Sequence, residues 1–241
     1  MISIVTAYHN RRDLFINTLD SIEQSKIKDY EIIVVDDCSN DENRLEDLIS
    51  IYPKLKIIRI EKVDKWWVNP CINFNIGFKE AKGDIIILQN PECKHYGDIL
   101  EKSLEINDNN YFSFACYSID EDTTYNKKEL VINNRPASND GDLSWYNHNQ
   151  FRPKGYHFCS VITKKNLNKL GGFDERYAMG IAYDDDEFIF RVTNLPLQVS
   201  IINYPFVIHQ WHKSVNYNHL DATRLIQNNK ELYFNNTLNG K

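Results

Sequence analysis

Three clusters of polar residues in this 241-residue chain have types and spacings that can do chemistry. Asp184-Asp185-Asp186-Glu187 opens an apolar segment. One or two carboxylates at that position would complement a helix N-terminus. Four side by side repel one another, which suits a site that keeps a carboxylate ready to take a proton or holds it near a cation. Asp36-Asp37 ends an apolar run abruptly, and a strand-end turn is the plain alternative to a binding role. Gln89-Asn90-Pro91-Glu92 ends another run with a single acid. Late in the chain, His209 and His212 flank Gln210-Trp211, where imidazoles can either bind a metal or simply pack.

The elements that must position these groups follow from hydrophobic patterning. Apolar runs at residues 2–7, 30–35, 55–60 and 85–88 read as buried strands. Leu14, Leu19 and Ile22 mark one intervening helix, Leu45, Leu48 and Ile49 a short second, and Pro70 suits the first turn of a third reaching residue 81. A helix at 96–106 and a strand at 112–117 follow. Continuous apolar strands alternating with helices imply an α/β fold: a mostly parallel, Rossmann-like sheet with helices on both faces. Ligands of such sheets bind at the carboxyl ends of the strands, where the acids gather. The alternation fails over residues 120–149, a polar stretch read as a flap in a smaller second region. Strands at 156–163, 199–202 and 205–208 and a closing helix at 220–232 complete the chain. Trp66, Trp67, Trp145 and Tyr146 are expected in loops, where their faces could stack on a sugar or base. The whole reads as one domain, 1–241: a nucleotide-sugar half at 1–118, an acceptor and catalytic half at 119–215, and a C-terminal helix and tail at 216–241.

Composition sets outer limits. With 42% hydrophobic and 26% charged residues the chain is ordinary for a soluble protein, and its net charge of −6 argues against duplex nucleic acid as partner. Five scattered cysteines without Cys-x-x-Cys spacing favour reduced thiols and a cytoplasmic location. No apolar run approaches the roughly 20 residues of a membrane span. Oligomeric state is not legible.

The opening Ser3-Ile4-Val5-Thr6-Ala7-Tyr8-His9-Asn10, the later Val34-Val35-Asp36-Asp37-Cys38-Ser39-Asn40-Asp41, and Gly171-Gly172-Phe173-Asp174-Glu175 ahead of the acidic cluster together resemble the family 2 glycosyltransferases of the GT-A fold. The resemblance extends over residues 2–191. It implies a nucleoside-diphosphate sugar as donor, UDP by default, an acceptor hydroxyl on a glycan or other molecule, and inversion at the anomeric carbon. It also implies a divalent metal, Mn²⁺ or Mg²⁺. On that resemblance Thr6, Ala7 and Tyr8 border the nucleoside, and Asp37 accepts a hydrogen bond from the base. Asn69, Asn75, Gln89 and Asn90 contact the nucleotide, with Lys65 supplying a cation the family often places near Asn69. Asp185 is the general base, Asp184, Asp186 and Glu187 serve as caps, supports or solvent-facing groups, and Asp184, His157 and Ser160 lie toward the acceptor.

One departure stands out. The family's Asp-x-Asp motif is replaced by residues 89–92, leaving Glu92 as the one acid for the metal; His209, in preference to His212, is the expected partner ligand. Mg²⁺ often needs only one or two protein carboxylates plus phosphates. Two other readings compete. A nucleotidyltransferase would want a glycine-rich loop after the first strand, which residues 7–12 lack. A catalytically silent nucleotide- or glycan-binding module draws support only from the altered motif.

Overall fold

The structure, a computed structural model, describes residues 1–139, 141–213 and 219–238. Period-two alternation divides strand β1 (Ile2–Tyr8) between two cores. Ile2, Ile4 and Tyr8 face helix α1 (Arg12–Glu23), while Val5 faces helix α2 (Cys71–Glu80). Strands β2 (Tyr30–Asp36), β3 (Leu55–Arg59) and β4 (Ile85–Gln89) join β1 in parallel, in the order β3-β2-β1-β4. Strands β1, β2 and β4 are almost wholly buried, as their continuous apolar sequences require, whereas in β3, at the sheet's end, only Leu55 is buried. The helix expected around Leu45 is a pair of 3₁₀ turns, Asp41–Asn43 and Glu46–Ser50.

Beyond β4 the sheet becomes mixed. An unexpected strand β5 (Cys93–Tyr96) comes first, and the helix expected at 96–106 is the shorter α3 (Ile99–Ser103). Strand β6 (Asn110–Ser118) leads to helix α4 (Glu121–Asn126) and strand β7 (Ser144–Asn147), so Trp145 and Tyr146 lie on a strand and not in a loop. Strand β8 (Cys159–Thr163), helices α5 (Lys164–Leu170) and α6 (Asp184–Thr193), strand β9 (Gln198–His209) and helix α7 (His219–Leu238) complete the order. The two short strands expected at 199–208 are one strand, β9, whose register against β6 shifts between Phe114 and Cys116. The sheet continues β4-β8-β6-β9-β5, with β7 on the side of β6.

Register brings distant residues to one edge. Gln89 at the end of β4 pairs with Cys159, so His157 and Phe158 lie beside Asn90, whose amide donates to the Phe158 carbonyl at 3.0 Å. Antiparallel pairing of β5 with β9 sets Cys93 opposite His209, and the Gln210 amide donates to the Glu92 carbonyl at 3.1 Å. Glu92 and the late histidines therefore meet through sheet register.

Helix α2 sits unusually close to β1. A Cβ at Gly77 would come within 2.4 Å of Val5 Cγ1, so the close approach depends on this glycine. No helix among the described residues is long and apolar enough to cross a membrane.

Candidate active site

Two cavities open along the carboxyl edge of the parallel strands. The larger, about 510 Å³, is lined by Ala7, Tyr8, Arg11, Asp37, Lys65, Asn73, Asn90, Glu92 and His157 among others. The smaller, about 290 Å³, is lined by Tyr146, Arg152, Tyr156, Phe158, Asp185, His209, Trp211 and His212 with residues of the flap. Glu92 borders the first cavity and the two histidines the second, so the cluster they form stands where the cavities meet.

That cluster is compact. Glu92 Oε1 lies 3.4 Å from His209 Nε2 and 3.9 Å from His212 Nε2, while its Oε2 accepts a 3.0 Å hydrogen bond from Arg11 Nη1. Burial alone would push the Glu92 carboxyl up, but the His209 hydrogen bond and the neighbouring Arg11 charge hold it well below the usual carboxylate range. Burial pushes the His212 imidazole down, with Glu92 opposing, which leaves it neutral and able to ligate. Tyr146 and Phe158 pack edge-on against His209, at 5.1 and 5.9 Å between ring centroids, and fix its plane. One atom from each of the three residues can face a common point, all within 4.8 Å of one another. A single carboxylate with two imidazoles fits Mn²⁺ better than Mg²⁺, which prefers oxygen ligands throughout.

Asp185 lies one residue into α6. Tyr183 and Ala182, just before the helix, adopt left-handed backbone conformations (φ 64° and 60°). Such strain in non-glycine residues costs of order 1–3 kcal/mol each and gathers at functional sites. Asn10 and Arg11 repeat the pattern across the cleft (φ 56° and 66°). Burial first, and then the Asp184 charge, push the Asp185 carboxyl up to about 6, with His157 opposing. Burial also pushes the His157 imidazole down; its ring packs against Phe74 and Phe173.

Each remaining acid of the cluster has a partner. Asp184 is buried and accepts from Asn69 Nδ2 at 2.8 Å. The Asp186 carboxylate accepts from the Tyr156 hydroxyl at 3.1 Å. Glu187 is buried against Arg191, a partner 2.7 Å away through Nη2, so its expected solvent-facing role does not hold.

Of the residues expected at the nucleotide, Ala7, Tyr8, Asp37 and Asn90 line the larger cavity. Asp37 accepts from Trp67 Nε1 at 3.1 Å and is ion-paired with Lys65. Its four lone-pair sites leave room for one more donor. Thr6 and Gln89 line neither cavity and are fully buried; Gln89 bonds His95 and the Cys93 carbonyl. Ser160, expected at the acceptor, is fully buried mid-strand in β8, and Asp184 is turned toward Asn69.

Asn69 and Asn75 also lie outside both cavities. Asn69 accepts from the Cys71 amide at the start of α2 and donates to Asp184. Asn75 exchanges hydrogen bonds with the backbone of Phe173, 2.8 and 2.9 Å, and crowds Gly172 so closely that a Cβ there would meet it at 2.4 Å. These two residues tie α2 to the loop that carries the acids.

Three residues of the site escape sequence reasoning. Asn73 is buried at the larger cavity, and neither its Oδ1 nor its Nδ2 has a hydrogen-bond partner. Its signal is a polar residue between Ile72 and Phe74 on a helix that is otherwise apolar there. Arg11 and Arg152 carry no spacing that would single them out.

An α/β sheet with a two-chambered cleft at its carboxyl edge, a basic carboxylate in one chamber and a ligand-type cluster at the junction defines a group-transfer architecture. The model of Glycosyl transferase family 2 matches residues 3–174, and the chain belongs to that family. It is similar to the amylovoran biosynthesis glycosyltransferase AmsB of Erwinia amylovora, 25% identical over 213 residues that cover 84% of this chain and 67% of AmsB. A structure of S. aureus TarS with UDP-GlcNAc superposes with a TM-score of 0.66 at 13% identity, covering 89% of this chain and 59% of that one. The mannosyltransferase PcManGT of Pyrobaculum calidifontis, solved with GDP-Man and Mn²⁺, gives 0.56 at 14% identity, covering 92% and 59%. At these identities the two structures speak to the fold, which is GT-A, and the chain spans about three fifths of each.

Proposed function

We propose that this glycosyltransferase moves a sugar from a nucleoside-diphosphate donor, UDP-linked by preference, to an acceptor hydroxyl, inverting the anomeric carbon with a divalent metal, Mn²⁺ in preference to Mg²⁺. The observation that carries the reading is the Glu92–His209–His212 cluster at the junction of the cavities that hold Asp37 and Asp185. In this reading residues 1–118 bind the donor and 119–215 bind the acceptor and supply the base, with helix α7 packed against α6. Asp37 and Asn73 take the nucleoside. A cation held by Glu92, His209 and His212 would neutralise charge developing on the departing diphosphate. Asp185 accepts the proton of the acceptor hydroxyl as that oxygen attacks opposite the leaving group, and a carboxyl raised to about 6 is both ionised and basic at neutral pH. Burial pushes the neighbouring His157 imidazole down. Five free thiols suit a cytoplasmic setting.

The test is thermal stability with UDP, GDP, CDP and dTDP, each with and without Mn²⁺. A nucleotide at 100 times its Kd adds about 2.7 kcal/mol, or about 5–10 °C for a chain of this size. The expected result is a shift for one nucleotide that depends on Mn²⁺ and is lost in Glu92→Gln. No shift with any nucleotide would overturn the donor assignment, and a shift indifferent to Mn²⁺ would overturn the metal.

A further inference from the structure

The smaller cavity, taken as the acceptor chamber of the function proposed above, carries a charge that its chemistry alone does not call for. Among its described lining residues Arg152 is the one fixed cation and Asp185 the one carboxylate. In the donor chamber Arg11 pairs with Glu92 and Lys65 with Asp37, while the exposed Lys213 stands at its edge. Arg152 has no carboxylate partner among the described residues. One Nη1 hydrogen bond to the Tyr146 carbonyl, 3.2 Å, and the Tyr146 ring, 6.0 Å from the guanidinium, hold it in place. This braces one edge of the planar fork and leaves the other nitrogens for a ligand. A guanidinium cannot shed its proton, and its fork matches carboxylate and phosphate oxygens. Around it Tyr146, Tyr156, Phe158 and Trp211 present ring faces and edges of the kind that stack on sugars.

We propose that the acceptor is an anionic glycan, whose carboxylate or phosphate group is held by Arg152 while the aromatic wall packs on the sugar that offers its hydroxyl to Asp185. A neutral acceptor would leave the guanidinium unpaired at the wall of a closed complex, so Arg152 acts as a specificity-determining residue.

The experiment uses methyl β-D-glucoside, methyl β-D-glucuronide and glucose 6-phosphate as probes, titrated by saturation-transfer NMR into the wild-type chain, Arg152→Gln and Arg152→Lys at low salt. A charge-assisted pair should favour one or both anionic probes over the glucoside by about tenfold in wild type, with the advantage falling as salt rises. Preference for the glucuronide identifies a uronic acid, and preference for the phosphate identifies a phosphorylated glycan. Arg152→Gln should erase the advantage without changing glucoside affinity or UDP affinity, and Arg152→Lys should keep part of it. Equal binding of all probes by wild type would overturn the proposal, even if Arg152→Gln failed to fold. An advantage that survives in a folded Arg152→Gln would overturn it too, as would a loss confined to UDP. The readout needs no turnover. Absence of any nucleotide effect with the glucuronide preference intact would sink the transferase reading alone, whereas nucleotide binding with indifferent probes would sink the anionic acceptor alone.

Discussion

Replacing Asp185 with Asn should separate catalysis from stability in opposite directions. In the folded chain the carboxyl stands at about 6 against an ordinary 3.8, raised first by burial and then by the Asp184 charge. A carboxyl whose folded value is raised favours the native state below its unfolded value, and that advantage is lost as pH rises through about 6. At pH 8 the ionised group therefore costs about 3 kcal/mol, at 1.36 kcal/mol per unit. Asn cannot ionise, so the cost disappears. The variant also forfeits a favourable carboxylate at a helix N-terminus, about 0.3–1 kcal/mol. The balance is a gain of about 2 kcal/mol, or about 4–8 °C in Tm for a chain of this length. Melts of both proteins across pH 4–8 should coincide at the acid end and diverge through about pH 6. Turnover, followed as nucleoside diphosphate release, should fall by about 10²–10⁴-fold while nucleotide affinity is kept. A stability advantage over wild type no larger at pH 8 than at pH 4 would refute the burial argument. Turnover within tenfold of wild type would remove Asp185 as base.

Two other substitutions probe the frame around it. Asn73→Ala should weaken nucleoside diphosphate binding by up to about tenfold, the worth of one hydrogen bond. Because its polar atoms have no partner in the protein, Tm should hold or rise; calorimetric titration with UDP and a melt check both, and a large fall in Tm would mark Asn73 as structural. Gly77→Ala should destabilise by about 1–3 kcal/mol despite the better helix propensity of alanine, because its Cβ would overpack Val5. Adding Val5→Ala should restore part of the loss in a denaturant titration, and additivity of the two costs would refute the close contact.

How much was legible beforehand depended on whether a residue's role was local. The parallel half of the sheet was readable because buried strands write themselves as continuous apolar runs, and residues 2–7, 30–35 and 85–88 did so. The acidic mouth of α6 was equally plain. Side-chain direction was not. Thr6 and Tyr8 share a face of β1, yet only Tyr8 sits far enough along to reach the cavity. Asn69 and Asn75 are expected at the nucleotide on the family resemblance, yet their side chains bond Asp184 and the Phe173 backbone. Glu92 and the two histidines could be suspected singly, but their meeting depends on the β5–β9 register, which no local pattern encodes. The long strand β9 reads as two short ones, at 199–202 and 205–208, because the partly exposed Asn203 and the exposed Tyr204 between them carry no apolar signal.

That register also sets a timetable. Strand β5 ends the path of the sheet and pairs with β9, the last strand to be made. During synthesis from the N-terminus, residues 1–118 can assemble β1 to β4 around their own helices while Glu92 waits for neighbours more than a hundred positions downstream. The nascent chain thus has the parallel half of its sheet long before Glu92, His209 and His212 can meet. That meeting comes with nearly the final stitch of the fold, because it waits on the strand that is made last.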